Sequence, residues 1–91
     1  MAVAFILDFE GGSLDQYDAV VEKMDLGGKT PEGAHFHWVA KTEDGFRVVD
    51  VWESADAFNA FAEEKIGPLS AEQGLSEPKV DGPYEVHNTL D

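Results

Sequence analysis

Along this chain the apolar residues fall into short β-like runs and helical stripes, and their order predicts four strands and two helices. Residues 3–9, from Val3 to Phe9, are apolar and rich in β-formers and stop at Gly11-Gly12, which reads as a buried strand and a turn. Ser13 with Gln16 three residues on has capping-box spacing and starts a helix. Tyr17, Val20, Val21 and Met24 give that helix one apolar face, and Gly27-Gly28 is expected to end it.

Thr30-Pro31-Glu32-Gly33 reads as a turn, and residues 34–41 and 46–53 as a second and third strand. Between them Glu43-Asp44-Gly45 supplies hairpin chemistry. Ser54 caps a second helix with Ala57, Phe58, Phe61 and Ala62 as its apolar stripe, and Gly67-Pro68 should break or kink it. A short helical piece follows over 69–73, before Gly74. Glu77-Pro78 and Gly82-Pro83 bracket a loop, and residues 84–90 read as a final strand.

The order β-α-β-β-α-β predicts one α+β domain over residues 1–91, of ferredoxin-like topology: a four-stranded antiparallel sheet with both helices on one face. The other face of the sheet then needs cover. A second copy of the chain is the simplest source, so a homodimer is expected.

Composition narrows the partners. A hydrophobic content of 43% belongs to a globular chain. Nineteen acidic residues against six basic ones give a net charge of −13, which repels phosphate backbones and anionic lipid. No nucleic acid and no membrane partner is therefore expected; a small-molecule ligand is. Without cysteine there is no disulfide, thiolate nucleophile or Cys-based metal site. The apolar N-terminal stretch beginning at Met1 lacks a basic region and reaches Asp8 at once, so it reads as a strand rather than a signal peptide, and a cytoplasmic location is the expectation.

Candidate chemistry lies mainly on the strands. An even-membered hairpin loop makes opposed residue numbers sum to an odd value. One face then carries His35, His37 and Val39 with Val48, Asp50 and Trp52. The other carries Phe36, Trp38 and Ala40 with Val49 and Val51, and a bulge would change this pairing. His37 faces Asp50 or Trp52, so an imidazole–carboxylate contact can fix the ring tautomer and suit His37 to general acid or base work. Trp52 offers a flat wall for an aromatic ligand. The plainer alternative is a polar pair that stabilises the sheet.

His35 and His37 also form an i, i+2 pair, with Asp50 or His87 as a third arm for a metal; the metal-free reading is preferred. His87 and Asn88 on the last strand either reach a pocket or satisfy an edge. Tyr17 either projects its hydroxyl toward a ligand or packs in the core, and Phe58 and Phe61 are core or pocket wall. Arg47 falls on the face opposite His37. No nucleophile motif, phosphate loop or dinucleotide fingerprint occurs.

The junction Val48-Val49-Asp50-Val51-Trp52-Glu53-Ser54-Ala55-Asp56-Ala57-Phe58-Asn59-Ala60-Phe61 resembles the dimeric α/β-barrel superfamily, in particular its antibiotic-biosynthesis-monooxygenase-like proteins. The resemblance implies two sheets facing each other as a barrel, and in each subunit a pocket between sheet and helices. Haem-degrading members pair such a Trp with an Asn on the first strand and a His on the second helix. Here residues 3–7 hold no Asn and residues 58–73 no His, so no haem, and no other cofactor, is expected. The functional expectation is a small cofactor-independent enzyme, monooxygenase-like or of proton-transfer or cyclase type. His37, Asp50 and His35 would be its catalytic residues, and its substrate a small, largely apolar or aromatic metabolite. The alternative is a non-catalytic binding or structural dimer of the same fold.

Overall fold

The computed structural model describes residues 2–89; Met1 and Leu90, the two ends of stretches read above as strands, lie outside them. Strands β1 (Val3–Glu10), β2 (Ala34–Lys41), β3 (Gly45–Trp52) and β4 (Lys79–Glu85) form one sheet in the order β2-β3-β1-β4, every pairing antiparallel. Helix α1 (Leu14–Met24) follows β1. Helix α2 (Ala55–Phe61) follows β3 and continues through a π-helical turn, Ala62–Ile66, into α3 (Gly67–Glu72). The ferredoxin-like βαββαβ architecture is thus as the periodicity predicts.

The alternation along β1 and β3 separates the sheet faces. Phe5, Leu7 and Phe9 point to the helices together with Phe46, Val48, Asp50 and Trp52, and all seven are buried. Phe58 of α2 stacks on Phe5 with ring centroids 3.9 Å apart, and Phe9 stacks on Phe46 at 4.7 Å. Burying side chains of this size contributes roughly 1.5–3 kcal/mol each, so this cluster is the main source of stability.

Capping follows the sequence closely. The Ser13 hydroxyl accepts from the Gln16 N–H at 3.2 Å, while Gln16 Oε1 accepts from the Ser13 N–H at 2.9 Å. Ser54 accepts from the Ala57 N–H at 3.1 Å. At the end of α3, Gly74 N–H donates to Ala71 O and Leu75 N–H to Ser70 O, a Schellman close that returns Leu75 to the interior.

Four expectations are corrected. Helix α1 ends at Met24 rather than at Gly27-Gly28, because Asp25 takes the left-handed cap itself (φ 55°), which a short polar side chain tolerates. Gly45 is a strand residue, not a turn residue: the hairpin loop is Glu43-Asp44, closed by Thr42 N–H to Gly45 O at 2.9 Å. A Cβ at Gly45 would sit 1.9 Å from the Phe9 carbonyl oxygen, so close passage of β1, rather than turn geometry, excludes a side chain.

Of the break or kink expected at Gly67-Pro68, the break does not occur. The π turn just before it, with Gly67 N–H bonded to Ala62 O, absorbs the lost proline donor and the chain stays helical to Glu72. Finally, β4 runs over Lys79–Glu85 and takes in Gly82-Pro83, which were expected to bound a loop. It is an exposed edge strand paired only with β1, and its register shifts opposite Ala4–Ile6, where a proline without an N–H is tolerated.

Candidate functional site

The β2–β3 hairpin keeps the odd-sum register from Phe36↔Val51 to Lys41↔Phe46, so His37 is paired directly with Asp50. At the other end of β2, Ala34 pairs with Trp52, and His35 is the extra residue of a β-bulge. The bulge brings Ala34 onto the face of His37 and removes His35 from it. His35 is exposed and lies outside the cavity described below, so the expected His35–His37 pair does not form.

Between the sheet and the helices lies a cavity of about 310 Å³. The sheet contributes Leu7, Phe9, Ala34, His37, Phe46, Val48, Asp50 and Trp52 to its wall. From α1 come Tyr17, Val20, Val21 and Met24, the whole of the stripe that the helical spacing predicts. The loop after α1 adds Leu26 and residues 28–31 at the rim, and Phe61, Ile66, Ser70 and Leu75 complete it. Its size is at the low end for small-molecule pockets, with room for a compact ligand of one or two rings.

The wall is mostly apolar, and apart from Lys29, Thr30 and Ser70 its polar side chains gather in one place. His37 Nδ1 is 2.5 Å from Asp50 Oδ1, and Asp50 is 5% exposed on the middle strand between Phe5 and His37. The Tyr17 hydroxyl bonds His37 Nε2 from the opposite side. A carboxylate oxygen only accepts, so Nδ1 carries the ring proton, Nε2 is the acceptor and Tyr17 donates to it. Burial, then the charges of Asp50 and Asp18, push the Tyr17 phenol above its ordinary value, which keeps it a donor at neutral pH. Phe46 packs edge-on against Tyr17 with centroids 5.6 Å apart and holds the ring in place.

Trp52, 1% exposed, packs against Phe58 and Phe61, and its buried indole N–H has no hydrogen-bond partner among the described residues. Phe61 is cavity wall, whereas Phe58 is core, held in the stack on Phe5 and absent from the lining. His87 and Asn88 lie beyond β4, which ends at Glu85; both are exposed and outside the cavity. Arg47, on the outer face, makes a two-pronged pair with Asp8 at 2.7 and 3.1 Å.

Among the described residues no three His, Asp or Glu side chains converge in a way that could hold a metal. No helix there is long and apolar enough to cross a membrane.

Lys29, Thr30 and Ser70 are lining residues that the sequence reading did not single out. Ser70 carries a signal, its spacing of four from Ile66. The link from Ile66 back to Phe61 is hidden, because the π turn makes that step five residues. Lys29 and Thr30 sit in a loop with no periodicity to read.

No family model matches the chain, and no curated protein matches it in sequence. Solved structures do. The cofactor-independent oxygenase SnoaB from Streptomyces nogalater, in a mutant form, superposes with a TM-score of 0.67 at 21% identity, over 98% of this chain and 96% of that one. An antibiotic biosynthesis monooxygenase-type protein from Deinococcus radiodurans gives 0.60 at 13% identity, over 100% and 97% of the two chains. A further protein of that type from Chloroflexus aurantiacus gives 0.56 at 18%, over 97% and 98%. At these identities the likeness establishes the fold: this chain is built as the antibiotic biosynthesis monooxygenase-like proteins are.

Proposed function

We propose that the protein is a small cofactor-independent enzyme, monooxygenase-like or catalysing proton transfer or cyclisation, that acts on a compact apolar or aromatic metabolite in the cavity. The observation that carries this reading is the His37–Asp50 pair, a tautomer-fixed imidazole in the wall of a mostly apolar chamber. Such a pair is the equipment of a general base, and apolar surroundings strengthen its electrostatic effect on a bound substrate. In the oxygenase version, loss of a proton leaves a carbanion or phenolate that reacts with dioxygen itself. In the isomerase or cyclase version the proton is returned elsewhere on the same molecule. The SnoaB likeness supports the first version through the fold alone.

The outer face of the sheet supports a homodimer. Trp38, 41% exposed, and Tyr84, 50% exposed, stand on it with Ile6, Phe36 and Val49, an apolar surface that a second sheet would cover.

The test is dioxygen uptake and product mass across a panel of hydroxylated one- and two-ring aromatics, with wild type and His37→Ala. Turnover by wild type and its loss in the variant are expected. Equal turnover by the two would overturn the assignment. Ligands recovered unaltered after long incubation would favour a binding protein.

A further inference from the structure

We infer that Tyr17, rather than His37, is the group that exchanges a proton with the substrate, and that His37 and Asp50 form the relay behind it. This inference rests on the proton-transfer reading above and adds a residue to it. Both ring nitrogens of His37 are engaged within the protein: Nδ1–H donates to Asp50 Oδ1, and Nε2 accepts from the Tyr17 hydroxyl. No lone pair of the imidazole is left for a ligand. The Tyr17 oxygen spends its single proton on Nε2 and keeps its acceptor capacity, and Tyr17 lines the cavity.

The proton step balances without a co-reactant. The substrate O–H or C–H bond breaks as a new O–H bond forms on Tyr17. The original Tyr17 O–H bond breaks in the same event as an N–H bond forms at Nε2. The electron pair stays on the substrate, and the positive charge appears on the imidazolium, beside Asp50.

Tyr17 remains a neutral phenol throughout. That is the state favoured by its burial and by the two carboxylates, Asp50 and Asp18, that raise its ionisation. The titratable groups lining the cavity are Tyr17, Lys29, His37 and Asp50, so the charge formed at His37 is balanced locally by Asp50.

Local structure fixes the geometry from both sides. The Ser13–Gln16 capping box sets the first turn of α1, and Tyr17 follows it directly. The two rings are nearly parallel, with an interplanar angle of 9°, and the bond between them joins α1 to the edge strand β2.

The probe is 4-nitrophenol, whose anion is yellow, titrated with the full chain as wild type, Tyr17→Phe and His37→Gln. Wild type is expected to bind it and to shift its ionisation toward the anion by at least tenfold. Both variants are expected to lose that shift, with Tyr17→Phe still binding the ring.

If Tyr17→Phe ionises the bound phenol as wild type does while His37→Gln does not, the relay is wrong and the His37 assignment stands. If wild type and both variants leave its ionisation unshifted, the proton-transfer reading fails and the relay with it. Should Tyr17→Phe not fold, 3-fluorotyrosine incorporated into Tyr84→Phe labels Tyr17 alone, since the chain has two tyrosines. The shift should then move with the acidity of the fluorinated phenol, and an unmoved shift overturns the inference.

Discussion

His37 and Asp50 are direct partners across the β2–β3 pairing, and their side chains meet at 2.5 Å on the helix side of the sheet. Asp50 is buried, and His37 is its only side-chain partner among the described hydrogen bonds. Removing the imidazole therefore leaves a buried acceptor unpaired. His37→Ala should lower stability by about 1–3 kcal/mol in urea unfolding. Adding Asp50→Ala should cost much less than it does alone, since the two residues act as one unit. Additive losses would mean that the pair contributes little to the fold.

In turnover, Asp50→Asn should behave nearly like His37→Ala. Without the carboxylate the ring tautomer is no longer fixed, and a loss on the order of 10²–10⁴-fold is expected, the size of a general acid–base contribution. The measurement is kcat on whichever aromatic of the panel wild type converts.

Asp8 and Arg47 give a pH dependence of known sign. The Arg47 guanidinium holds the Asp8 carboxyl below its ordinary value. A depressed carboxyl stabilises the fold above its unfolded value, and the contribution disappears as pH falls through the folded one. Thermal melts of wild type and Asp8→Asn should differ slightly at neutral pH and converge in acid, the gap shrinking with added salt because the pair is partly exposed.

Gly45→Ala should be among the most damaging single changes. Its new methyl group would meet the Phe9 carbonyl oxygen at 1.9 Å, backbone that cannot give way without disturbing the β1–β3 ladder. A loss above the usual range of about 0.5–3 kcal/mol is expected in urea unfolding.

Trp38→Lys tests the homodimer. A charge on the outer face should shift the sedimenting species toward monomer while leaving the far-ultraviolet circular dichroism unchanged. An unaltered dimer would place the interface elsewhere.

How legible was this in the sequence? The elements at strong signals were readable almost to the residue. Ser13–Gln16 and Ser54 mark helix starts, and β2 occupies the residues that its pattern predicts. An even-membered hairpin loop puts His37 opposite Asp50 or Trp52, and the observed two-residue loop Glu43-Asp44 selects Asp50. What escaped depends on contacts between distant segments. The bulge that removes His35 from the site forms where β2 meets Trp52, and nothing local to Ala34-His35-Phe36 announces it. The last strand was misplaced because Gly82-Pro83 speaks against a strand, and only its position on an exposed edge makes it acceptable. Phe58 and Phe61 share one stripe; whether each meets Phe5 or the cavity is set by packing, not by spacing.

The π turn at Ala62–Ile66 sets the phase of the helical segment that follows it. A surplus residue in a helix rotates everything downstream by about 100° relative to the regular repeat. Here it brings Ile66 and Ser70 into the chamber behind Phe61, where an uninterrupted α-helix would carry Lys65 toward that position. Deleting one residue of the turn would restore tighter helical hydrogen bonding and turn Ser70 away, a shorter and firmer helix around a different chamber. Ala62–Ile66 thus gives up regular helical hydrogen bonding where doing so decides which side chains the chamber receives.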